Sequence, residues 1–84
     1  MNYVPVMIHD HGDDYDVFTI EGHNRWFGEN AAKLTARKIA ARPYDAGIVD
    51  SNGLIYSYEW SQRKGAYDWR HFGDMDVSDL DMKP

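Results

Sequence analysis

Cysteine is absent from these 84 residues. No disulfide framework and no thiolate metal site can form. Small secreted domains usually need such staples, so a reducing, cytoplasmic setting is expected. A long apolar run is also missing. Residues 3–8 are interrupted by Pro5, stop at His9 and follow no basic segment, so they read as neither a signal peptide nor a membrane span. Positive charge is in deficit: 9 Lys and Arg stand against 14 Asp and Glu, a net charge of −5. Phosphate repels such a chain, which makes free nucleic acid a poor default partner. The glycines include Gly22, Gly28, Gly47, Gly53 and Gly65, and none opens a helix at the spacing of a phosphate loop or dinucleotide fingerprint.

What the chain does have is aromatic side chains: six Tyr, three Trp and three Phe. Aromatics bury much area per residue, which suits a domain too small for a deep core. They also anchor protein interfaces. With 43% hydrophobic and 27% charged residues, the composition excludes a collagen-like or wholly disordered protein and fits one globular domain.

Along the chain, residues 3–8 predict a strand that lies at a sheet edge or begins near Pro5. Residues 9–14 are polar and read as a hairpin loop, and residues 15–21 alternate as the antiparallel partner strand. Gly22-His23-Asn24 is a turn, and residues 25–28 offer a short extra strand. Asn30 is the expected N-cap of a helix over residues 31–42, stopped by Pro43. Its periodicity turns Ala32, Thr35, Ala36, Ile39 and Ala40 to the sheet and Lys33, Leu34, Arg37 and Lys38 to solvent.

Residues 46–50 and 54–60 form a second hairpin across Ser51-Asn52-Gly53, a strong tight-turn signal. Leu54, Tyr56, Tyr58 and Trp60 share one face of the latter strand. Residues 66–72 are a last edge strand or an ordered arm. The expected fold class is α+β, in the order ββαββ: one antiparallel sheet with a single helix packed on one face. The domain covers residues 1–73, and residues 74–84 are read as an acidic flexible C-terminal tail. One sheet face is then left for solvent, a partner or a second copy in a homodimer.

Five groups of residues bear on function. His9, His11, Asp13, Asp14 and His23 are of metal-ligand type, but their spacing matches no zinc signature and a solvated polar loop is the simpler reading; no metal and no cofactor are expected. Glu21 and Glu59, with His23 or His71, are of acid–base type without a motif that brings them together. Asp10, Asp13, Asp14 and Asp16, with Asp74, Asp76, Asp79 and Asp81, make two acidic clusters. Such clusters either solubilise the chain or imitate phosphate charge against a basic groove. Trp26, Tyr56, Tyr58, Trp60 and Trp69 are the available anchors for a protein partner. Lys33, Leu34, Arg37 and Lys38 form the alternative docking set, for an acidic protein or phosphate. Stacking of single-stranded bases on Tyr56, Tyr58 and Trp60 would need interleaved cations, and Arg63 and Lys64 lie past the strand.

A small acidic ββαββ chain without cysteine resembles phage-encoded anti-CRISPR proteins. The likeness is carried by the hairpin strand at residues 15–21, the Ala-rich helix at 30–42 and Ile48-Val49-Asp50-Ser51-Asn52-Gly53-Leu54-Ile55-Tyr56. It implies a non-enzymatic inhibitor in the host bacterial cytoplasm that binds a CRISPR–Cas effector complex and blocks its access to target DNA. The N-terminal half, from residues 3–8 through the acidic turn to a helix starting near Glu29-Asn30-Ala31, is also similar to antitoxins of the HicAB type. That likeness implies a protein that binds and neutralises a toxin. A metal-dependent enzyme and a single-strand nucleic-acid binder are the alternatives of a different class.

Overall fold

The computed structural model describes residues 1–83. Its strands are β1 (Tyr3–Asp10), β2 (Tyr15–Thr19), β3 (Ala46–Asp50), β4 (Leu54–Ser61) and β5 (Ala66–Asp74), with one α-helix, α1 (Glu29–Ile39). They build one five-stranded sheet in the order β2-β1-β3-β4-β5, antiparallel throughout. The class is α+β, as the alternation predicts, but the order is ββαβββ. Residues 66–74 pair along the whole of β4, from Leu54 opposite Asp74 to Ser61 opposite Ala66.

β1 is an inner strand, flanked by β2 and β3, although it contains Pro5. The register explains the tolerance. β2 ends at Thr19 opposite Val6, so the residue without an N–H stands where that neighbour has already stopped. Residues 25–28 contribute only a single bridge, in which Tyr3 and Phe27 exchange N–H···O bonds of 2.8 and 2.7 Å. In the β3–β4 turn, buried Asp50 accepts the N–H groups of Asn52 (2.9 Å) and Leu54 (3.0 Å) through Oδ1. This is the Asx geometry that Asp-Ser-Asn-Gly favours.

Helix α1 is N-capped by Gly28 rather than Asn30, which sits inside the first turn. The helix ends at Ile39, three residues before the expected stop. Arg42 precedes Pro43 and is extended (φ −126°, ψ 142°), because the proline ring excludes the helical conformation there. Pro43 instead opens a 3₁₀ turn, Pro43–Asp45.

Ala32 and Ala36 are buried against Ala46 and Ile48 on one sheet face. Ile39, expected to point inward, is 44% exposed. At 100° per residue Ile39 and Lys33 lie on opposite sides of Ala36. The helix is rolled toward the Lys33 side, where the aromatic rings of β4 and β5 receive it.

The opposite sheet face is closed by the chain's own C-terminal segment. The Met75 N–H donates to the Gly53 carbonyl (2.8 Å) and turns the chain under the sheet. A second 3₁₀ turn, Val77–Asp79, follows, N-capped by Asp76, whose Oδ1 accepts the Ser78 N–H at 3.0 Å. Leu80 is 7% exposed and packs with Val4, Val6, Ile8, Val49 and Ile55. The Asp81 carbonyl then accepts Asn24 Nδ2 (3.0 Å) and the Thr19 hydroxyl (3.3 Å), and the Lys83 N–H donates to the Asn24 carbonyl (2.8 Å).

The acidic tail expected to be flexible is thus a strap running from β5 to the β2 end of the sheet. Its apolar residues Met75, Val77, Leu80 and Met82 alternate with the aspartates and supply the inner surface. The expected domain limit at residue 73 falls inside β5, and Pro84 lies outside the described residues. No helix among the described residues is long and apolar enough to cross a membrane.

Candidate docking face

Period-two alternation places Tyr56, Tyr58 and Trp60 of β4 on the helix side of the sheet. The β4–β5 register sets His71, Trp69 and Tyr67 opposite them in turn. The rings form a strip: Tyr56 with His71 (centroids 5.9 Å apart), Tyr58 with Trp69 (5.0 Å) and Trp60 edge-on to Tyr67 (5.5 Å). Tyr58 and Tyr67 stack diagonally at 5.4 Å. Strand alternation turns the neighbouring Phe72 to the other face, where it meets Tyr15 at 4.7 Å.

Helix α1 borders this strip with cations one turn apart. Arg37 lies over the Tyr58 ring at 4.7 Å, and Lys33 over Trp69 at 5.8 Å. Lys33 also binds Glu29 at 2.6 Å, and that hydrogen bond holds the Glu29 carboxyl below the usual carboxylate range. Tyr3, whose ring meets Tyr56 edge-on at 6.4 Å, has its hydroxyl pushed up, first by burial and then by the charge of Glu29. Leu34 and Lys38 are exposed on the same helix.

Four of the predicted anchors and the whole alternative set therefore belong to one region, which neither periodicity alone could show. Tyr58 and Trp69 are half-buried beneath the cations. Trp60 (55% exposed) and Tyr67 (37%) form the open end toward Arg63 and Lys64 in the β4–β5 turn. Lys64 pairs with Asp68 and holds its carboxyl below the usual range, helped by the Trp69 N–H. Tyr67 was not among the sequence candidates, and His71 was one only as an acid–base group. Their alternation with Trp69 was visible, but the register across the turn was not. Trp26 stands apart, in the connection between β2 and α1.

The acidic residues stand outside this face, with Asp74 touching its rim at His71. Asp10, Asp13, Asp14 and Asp16 surround the β1–β2 turn. Asp10 accepts the Gly12 N–H (2.8 Å), Asp14 the Tyr15 N–H (2.7 Å), and Asp16 pairs with His11 (2.8 Å). The register puts Asp74 at the other end of the sheet, beside Leu54, with His71 at 3.2 Å. Asp76 caps the strap, and the Ser78 N–H and hydroxyl hold its carboxyl below the usual range. The eight aspartates are thus two separate clusters, several of them engaged in turn formation.

The residues of metal-ligand type are likewise separated. The His9 ring meets Phe18 (5.2 Å), and His23 lies beside Phe27 (6.2 Å). Among the described residues no three His, Asp or Glu side chains converge to hold a metal ion. Glu59 accepts from the Ser57 hydroxyl and faces Arg70 at 3.8 Å, on the sheet side away from His71. No family model, curated protein or solved structure matches the chain, and its site is defined by the chemistry of its own residues.

Proposed function

We propose that this chain is a non-enzymatic inhibitor that docks on a bacterial nucleoprotein complex through the β4–β5 strip and α1. A CRISPR–Cas effector is the target that the anti-CRISPR resemblance implies. The observation carrying this reading is the gathering of Tyr56, Tyr58, Trp60 and Trp69 beside Lys33, Leu34 and Arg37, with Trp60 at the exposed end. Affinity at an interface comes from a few aromatic and Arg anchors that lose their water on binding. Peripheral charge sets approach and orientation. The acidic β1–β2 turn fits that second role, since its carboxylates are exposed and partly engaged with their own backbone.

The test is binding of the chain to purified guide-loaded effector complexes, with target DNA as competitor. Trp60→Ala and Arg37→Glu should each weaken capture about tenfold or more. Asp13→Lys with Asp14→Lys should mainly slow association and reduce its salt dependence. The reverse pattern moves recognition to the acidic turn and overturns the docking face. Capture by no effector, together with uninhibited target cleavage, overturns the function.

A further inference from the structure

We infer that the open end of this face takes single-stranded nucleic acid, with Trp60 and Tyr67 as stacking platforms and Arg37, Lys38 and Arg63 around the phosphates. The inference rests on the docking face above and names the chemistry that it recognises.

Composition argued against such a partner, because the molecule carries −5 overall and β4 itself has no interleaved cation. The fold supplies the cations from another element. Arg37 and Lys33 rise from α1 onto the rings of Tyr58 and Trp69, at 4.7 and 5.8 Å. Of the nine Lys and Arg residues, Lys33, Arg37 and Lys38 lie on α1 and Arg63 and Lys64 in the β4–β5 turn, whereas Arg70 is turned with Glu59 to the other sheet side and Arg42 is paired with Asp45.

The acids are placed elsewhere. On the helix side of the strip the nearby carboxylates are Glu29, already bound to Lys33 at 2.6 Å, and Asp74, which meets His71 at 3.2 Å at the end away from Trp60. Strand alternation sends Glu59 and Asp68 to the other side, the latter paired with Lys64. A local positive field on an acidic molecule survives because charges beyond about 10 Å are screened at moderate salt.

The strip has two halves with different jobs. Its inner rings, Tyr58 and Trp69, are half-buried and covered by cations, so they position those cations. Its outer rings, Trp60 and Tyr67, are 55% and 37% exposed and stand edge to face at 5.5 Å. Every base has a face that can stack on such a ring, so recognition is tolerant of sequence. The bases have to be unpaired, because duplex stacking hides their faces. This selects a single strand over duplex DNA.

The probes are fluorescent oligothymidine and oligouridine, and a duplex of mixed sequence, titrated with the full chain and followed by anisotropy and tryptophan quenching. The single strands should bind with Kd in the range of roughly 1 to 100 µM, and the duplex at least about tenfold more weakly. The two single strands decide between DNA and RNA. With three phosphates neutralised, the slope of log K against log salt should be about −2. Arg37→Glu with Lys38→Glu should flatten it by about 1.4. Trp60→Ala should weaken binding about tenfold, and Trp60→Phe should restore most of it.

Trp60 and Lys38 are exposed, so these variants should fold, which thermal melting checks. Lack of single-strand binding up to about 1 mM at low salt, equal binding of duplex, or indifference to Trp60→Ala overturns the inference. If the variants abolish capture of an effector complex while free oligonucleotides never bind, the face reads protein: this inference falls and the proposed function stands. If oligonucleotides bind as stated but no effector is captured, the reverse holds.

Discussion

The Met75 N–H donates to the Gly53 carbonyl at 2.8 Å, and Gly53 is held at φ +89° where the two segments touch. A Cβ at position 53 would run into the Met75 carbonyl oxygen. The tight turn between β3 and β4 and the start of the strap therefore share one residue, and only glycine satisfies both.

Gly53→Ala should destabilise by at least about 2 kcal/mol, combining left-handed strain with a backbone clash. Urea denaturation followed by tryptophan fluorescence checks this. Gly12→Ala is the control, because φ is +92° there but nothing lies within reach of a Cβ. Equal losses at both positions would mean that the strap does not press on the turn.

Leu80 plugs the sheet face away from the helix. Leu80→Ala should cost about 2–4 kcal/mol, and exposed Leu34→Ala no more than about 0.5 kcal/mol. Indifference to Leu80→Ala would detach the strap from the core.

Charge on α1 separates its faces. Ala36→Asp buries an unpaired carboxylate against Ile48 and should cost more than about 3 kcal/mol. Ile39→Asp, at a 44% exposed site, should change stability by less than about 1 kcal/mol. A reversed order would place the helix roll on the other side.

The strap is acid-sensitive at its cap. The Ser78 N–H and hydroxyl hold the Asp76 carboxyl below its ordinary value. The folded state therefore binds this proton less readily than the unfolded chain. The resulting stability is present above about pH 4, the ordinary Asp value, and is lost as pH falls through the lower folded value. The parent should be more stable than Asp76→Asn at neutral pH and approach it as pH falls through the lower folded value. A gap independent of pH would assign the acid sensitivity to other carboxylates.

Much of this fold was legible from local signals. The alternation of residues 15–19 and 54–60, the Asn52-Gly53 turn and the Ala-rich helix each reported a local structure. What escaped depends on distant partners. Nothing near Leu80 distinguishes a solvated acidic tail from a strap, because the surface that it covers is built by Val4, Val6 and Ile55. Ile39 fits an inward stripe until Tyr58 and Trp69 draw the helix toward Lys33 and Arg37. The docking face was visible as two unrelated sets of residues, and it became one only when β5 paired with β4 and α1 lay beside them.

Closure of the strap also bears on how the chain is made. Val4 and Val6 leave the ribosome well before Leu80, whose side chain shields them and is synthesised about 76 positions after Val4. At typical elongation rates that interval is on the order of 4 to 15 s. During this time β1 has a greasy underside and no cover. The nascent hairpin is then a natural client for chaperones, and closure of this sheet face is timed by the arrival of the strap rather than by the pairing of β1 with β2.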